Sequence, residues 1–161
     1  MIHYLIIKGL NIHYRDHAGF SAIMHSLLNQ CFDSAQCLID YGADIDEKDF
    51  AGISTFMHAS HQGLTTLMST LITLGADIFA KDNLGRSALM LAILNQQFAA
   101  VKKLIALGFS LEEKDHNGAT ALFYAEKAAN IEILKYLVQQ GAKLDATDSK
   151  KTTLAMRAAY H

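Results

Sequence analysis

His25, His58 and His61 are the side chains of this 161-residue chain whose spacing comes nearest to a reactive cluster. His25 and His58 lie 33 residues apart, and His61 follows His58 by three, about one helical turn. Imidazoles gathered on neighbouring helices can hold zinc if a third or fourth ligand and outer hydrogen-bond partners complete the set. The sequence offers neither, so no metal site is expected. A second candidate is "YGADIDEKDFAG" (41–52), whose closely spaced aspartates and glycine look like a calcium loop. Such a loop needs oxygen ligands at alternate positions, glycine at the sixth and glutamate at the twelfth. Counted from Asp44, the fifth, sixth and twelfth places hold Lys48, Asp49 and Thr55, so the pattern fails. Cys31 and Cys37 lie six apart in one expected helix, about 9 Å along its axis and too far for a disulfide. They read as reduced thiols with no base beside them. No phosphate-binding glycine loop, His-Glu-x-x-His, Gly-x-Ser-x-Gly or paired-carboxylate cleft occurs. No catalytic residue, no cofactor and no small-molecule substrate are therefore expected.

The elements that position these residues follow from composition and period. Apolar residues make up 51% and charged residues 19%, the balance of a folded chain. A net charge of −2 gives no electrostatic footprint for nucleic acid or an anionic membrane. No apolar run reaches the ~20 residues of a membrane span. The start "MIHYLIIKG" is too short for a secretory signal and lacks its basic head. The expected setting is cytoplasmic, or a host cytosol if the protein is a secreted effector.

Asp16, Asp49, Asp82, Asp115 and Asp148 recur every 33 residues, as do Gly9, Gly42, Gly75, Gly108 and Gly141. Gly19, Gly52, Gly85 and Gly118 follow the aspartate by three, with Lys151 in the fifth place. A period kept without insertions marks a stacked array. In each unit an aspartate turn, its carboxylate set to bond nearby amides, leads to Ser21, Ser54, Ser87, Thr120 or Thr153, placed to cap a first helix. A second apolar run, such as "IEILKYLVQQG" (131–141), carries three- and four-residue spacing and ends on a glycine suited to a left-handed cap.

The pattern D-x-x-G-x-[ST], an apolar pair and alanine, then L-[LIV]-x-x-G-A-D, resembles the ankyrin repeat in its Thr-Ala-Leu-Met variant. The resemblance covers the whole chain. It implies an all-α solenoid of stacked helix-turn-helix units with β-turn fingers, forming one array over residues 1–161. The array divides into a partial repeat 1–15, full repeats 16–48, 49–81, 82–114 and 115–147, and a partial repeat 148–161. The first partial unit begins in a second helix (Met1–Lys8), and the last stops in a first helix (Thr153–His161). The family's proline place holds Ala22, Thr55, Ala88, Ala121 and Leu154. Its histidine place holds Met24, Met57, Met90, Phe123 and Met156, so an apolar ladder between repeats should replace a polar one. Its inter-helix glycine survives as Gly63 but becomes Gln30, Gln96 and Ala129, which suggests varied helix junctions. Arg15, Lys48, Lys81 and Lys114 form a further 33-residue row, ended by Thr147. It reads as a solvated row paired locally with carboxylates, or as a contact row for an acidic partner.

Family members generally bind another protein through the finger tips and the exposed side of the first helix, which form a concave surface. Carried onto this chain, the tips supply Phe20, Phe50, Ile53, Leu84, Arg86, His116 and Asn117. The first-helix face supplies His25, His58, His61, Leu91 and Tyr124. Apolar tips rimmed by histidine and arginine have the look of a binding hot spot; packing against neighbouring tips is the alternative. The expected function is non-enzymatic protein–protein recognition. The protein would be an interaction domain of a larger effector or enzyme, its ends falling mid-repeat, or a stand-alone inhibitor or immunity-type protein.

Overall fold

The computed structural model describes residues 2–158; Met1, where the first helix is expected to begin, and residues 159–161, where the last is expected to end, lie outside the described residues. In chain order the helices are α1 (Ile2–Ile7), α2 (Ala22–Leu28), α3 (Phe32–Asp40), α4 (Thr55–Gln62), α5 (Thr65–Thr73), α6 (Ala88–Leu94), α7 (Phe98–Ala106), α8 (Ala121–Lys127), α9 (Ile131–Gln139) and α10 (Leu154–Ala158). Among the described residues there is no sheet, and no helix is long and apolar enough to cross a membrane. Each even-numbered helix packs on the next, α2 on α4, α6, α8 and α10 in series, and α2, α4, α6 and α8 also carry the second helix that follows. The architecture is an all-α stack of helix pairs.

Each second helix stops at the expected glycine. Gly42, at φ 90°, donates to the Ile39 carbonyl while Ala43 donates to Leu38, a Schellman closure that satisfies two orphan carbonyls. The first helices end in the same way, although most lack the glycine. Gln30, Gln96 and Ala129 hold φ of 58°, 57° and 51°, and Gly63 holds 74°. The junctions are therefore uniform rather than varied. The closing bonds, such as Gln96 to Ile93 and Gln97 to Ala92, impose the left-handed geometry whatever the side chain.

At the helix starts, Ser21 and Ser54 accept from the Met24 and Met57 amides at 3.5 and 3.4 Å, and Thr153 from Met156 at 3.2 Å. Ser87 and Thr120 occupy the cap position in extended backbone but make no side-chain cap bond. There the turn bonds from Asp82 to Arg86 and from Asp115 to Ala119 set the entry into the helix. Cys31 sits at the cap of α3 rather than inside it, and both cysteines are free.

Met24, Met57, Met90 and Phe123 are all buried, and Met57 and Met90 join the main core cluster. Met156, expected to continue the ladder, is 54% exposed, because no second helix covers α10 among the described residues. Thr55, in the proline place, is fully buried with its hydroxyl unpartnered.

Candidate partner-binding surface

Each turn aspartate spends its two oxygens differently. Oδ1 of Asp16 accepts from the Ala18 and Phe20 amides, and Asp49, Asp82, Asp115 and Asp148 repeat that arrangement two and four residues on. This closes a tight finger, with Gly19, Gly52, Gly85 and Gly118 donating back to the aspartate carbonyl. The second oxygen meets a side chain from the helix above. Asp16 Oδ2 takes His25 Nε2 at 2.9 Å, Asp49 takes His58 Nε2 at 2.9 Å, and Asp115 takes the Tyr124 hydroxyl at 2.8 Å. Leu91 stands in that place in the third full repeat, and there Arg86 Nε reaches Asp82 Oδ2 at 2.6 Å instead.

These bonds have electrostatic consequences. The His25 bond, followed by the Phe20 amide, holds the Asp16 carboxyl below the usual carboxylate range. Burial first, then the Asp115 hydrogen bond, pushes the Tyr124 phenol far above its ordinary value. Burial, then the neighbouring charges of His58 and Arg86, lowers the His61 pKa.

Successive fingers are joined by one backbone bond each. The amides of Phe50, Asn83, His116 and Ser149 donate to the carbonyls of Ala18, Ala51, Leu84 and Asn117 at 2.9–3.2 Å. Glycine at the third place after the aspartate is what lets the next finger come this close. A Cβ on Gly19 would sit 2.5 Å from the Phe50 amide nitrogen, and one on Gly118 would sit 2.7 Å from that of Ser149. The basic row does not pair with adjacent aspartates. Arg15 donates to the Lys48 carbonyl, Lys48 to the Lys81 carbonyl at 2.9 Å and Lys114 to the Thr147 carbonyl at 2.9 Å. Two of the row meet glutamates instead, Arg15 with Glu47 at 3.7 Å and Lys81 with Glu113 at 2.8 Å. The row stitches repeats together, because Arg15, Lys48 and Lys114 reach along the stack to the next unit's backbone and Lys81 to the next unit's Glu113.

The surface residues expected from sequence divide accordingly. Phe50 and Leu84 stand out at 64% and 52% exposure, and His25, His116 and Asn117 are exposed with them. Phe20 is half-buried, its ring between those of His25 and His58 at 5.4 and 4.8 Å between centroids. Ile53 is half-buried against the core, and His58, His61 and Arg86 are partly covered. Leu91 and Tyr124, expected on the exposed helix face, are 2% and 7% exposed, so neither presents a side chain to a partner. The finger folds back over that helical position, which is why the Tyr124 hydroxyl meets Asp115. Sequence reasoning missed this role of the residue nine after each aspartate. The signal was present, since the repeat with Leu91 in that place is the one with Arg86 on its finger.

Among the described residues no group of three or more histidine, cysteine or acidic side chains is placed to hold a metal ion. A cleft of about 340 Å³ lies between the last two fingers, lined by Asp115, Tyr124, Lys127 and Lys150 among others. The family model for ankyrin repeats, three copies, matches residues 56–148. No curated protein matches the sequence.

Proposed function

Because the chain belongs to the ankyrin-repeat family, whose repeats generally mediate protein–protein interaction, we propose that it is a non-enzymatic recognition module. It holds a partner protein on its finger tips and the adjoining first-helix face. The observation that carries this reading is the exposure of Phe50 and Leu84 on neighbouring fingers whose backbones are already fully tied. The fold has no need of large apolar groups in water at those places, whereas a binding surface gains from anchors on a rigid support. His25, His116 and Asn117 supply a polar rim. The free state of Cys31 and Cys37 supports a cytoplasmic setting, and the unbroken register supports one array over residues 1–161.

The test begins with a partner isolated on the intact chain. Phe50→Ser with Leu84→Ser should weaken its binding by about 2 kcal/mol or more, roughly thirtyfold, in a calorimetric titration. Circular dichroism and melting should be nearly unchanged, since both side chains are mostly in solvent. Unaltered affinity would move the binding face elsewhere. Loss of binding that follows loss of structure would make the tips packing elements.

A further inference from the structure

The residue four places after each turn aspartate is the one a finger can lower between repeats. In the first finger it is Phe20, whose ring lies between the imidazoles of His25 and His58, one in its own repeat and one in the next. In the second it is Ile53, packed against the core, and in the third Arg86, drawn back onto Asp82. The fourth finger has Ala119. Its amide donates to Asp115 Oδ1 at 2.8 Å, as the Phe20 amide donates to Asp16 Oδ1 at 2.9 Å. The backbone bond is thus the same, and what differs is the side chain. The cleft of about 340 Å³ opens at this place, with Ala119 and Phe123 in its wall. That volume is at the small end of ligand sites.

Most polar groups around the cleft are spent on the fold. Asp115 Oδ1 accepts from the Asn117 and Ala119 amides, and its Oδ2 takes the Tyr124 hydroxyl. Asp148 Oδ1 accepts from the Lys150 and Thr152 amides. The cations are not spent. Lys127 and Lys150 are exposed, and neither ammonium has a hydrogen-bond or ion-pair partner among the described residues. An ammonium is favoured over the face of a ring and beside a carboxylate. The chain makes the first of these contacts itself, with Lys102 Nζ 4.1 Å from the Phe98 ring centroid.

We propose that this cleft receives an aromatic side chain of the partner protein, carried on an acidic segment whose carboxylate pairs with Lys127 and Lys150. The proposal rests on the recognition role of the fingers and gives their partner a chemistry. The incoming ring takes the place that the Phe20 ring holds in the first finger. Phe50, Leu84 and the cleft then follow one another along the second, third and fourth fingers as a single track. A buried ring in a pocket is also the commonest form of interface anchor.

The probe is 3-phenylpropionate, a ring and a carboxylate with nothing else of a protein. Titrated into the full 161-residue chain, it should shift the amide resonances of Ala119 and Ser149. Its dissociation constant should be ~1–10 mM, as suits so small a ligand. The amine of the same ring, 3-phenylpropylamine, should act at least ~tenfold more weakly. Ala119→Phe fills the cleft with the first finger's own residue, and should abolish these shifts with melting unchanged or raised. Ala119→Ile, the second finger's residue, replaces it if circular dichroism shows that the phenylalanine variant unfolds. A partner isolated on the intact chain should bind the filled variant at least ~tenfold more weakly, and Lys127→Gln with Lys150→Gln should weaken it as well. No shift with the acid, equal shifts with acid and amine, or full partner affinity for the filled variant each overturns the proposal. In that last case, a weakened Phe50→Ser, Leu84→Ser protein would leave the recognition reading standing. The reverse pattern, loss in the filled variant alone, would uphold the cleft and move the rest of the surface away from the tips.

Discussion

A carboxylate that closes a turn has a second oxygen to satisfy, and Asp16, Asp49, Asp82 and Asp115 do so with an imidazole twice, a guanidinium once and a phenol once. The phenol is the most exposing test of that role, because Asp115 is 8% and Tyr124 7% exposed. Tyr124→Phe keeps the ring and removes only the donor. A buried acceptor left without its partner costs about 1–3 kcal/mol, and the loss should appear as a lower urea midpoint. An unmoved midpoint would mean that water serves Asp115 equally well. The aspartates themselves were legible in the sequence, because a 33-residue recurrence marks them without any knowledge of structure. Their second partners were not, because helical periodicity alone puts the residue nine places on at the exposed face. Only the fold-back of the finger buries it, and that fold-back is a tertiary contact. Phe50 and Leu84 were legible for the opposite reason, since large apolar groups in a turn stand out where the turn needs none.

Helix ends are where the elements hold strain. Gln30, Gln96 and Ala129 take a left-handed backbone that a side chain disfavours by about 1–2 kcal/mol, in order to complete the same closure that Gly63 makes freely. Ala129→Gly relieves that strain but loosens the unfolded chain, so the net gain should be about 0.5–1 kcal/mol. Denaturant melts decide it: a lower midpoint for the glycine variant would show that Ala129 is not strained. In reverse, a side chain at Gly63 would be strained by its φ of 74° and would push aside the end of the flexible Gln97 side chain, 2.2 Å from a Cβ there. The closures were hidden from sequence reading because glutamine and alanine give no sign of a positive φ. Their only advertisement is Gly63 at the matching place, one repeat from Gln30 and Gln96 and two from Ala129.

For the whole molecule, stability is nearly a sum of repeat terms and neighbour terms, so a central residue counts on both its faces. Met90, 1% exposed on α6 between α4 and α8, is such a residue. Met90→Ala should cost on the order of 2–5 kcal/mol in a denaturant melt, and an unchanged midpoint would show that the ladder carries no load. The stack is not held equally along its edges. One edge is tied at every step, by a finger amide on the preceding carbonyl and by cations, Lys81 apart, reaching to the next unit's backbone. The helical edge is held chiefly by apolar side chains, whose attraction is non-directional, with fewer cross-repeat hydrogen bonds, such as Asn95 Nδ2 to the His61 carbonyl at 2.7 Å. We expect any flexure to pivot about the fingers, as a bound book opens about its spine. Whatever grips the tips meets rungs at constant spacing, a ruler that keeps its length while the pages fan.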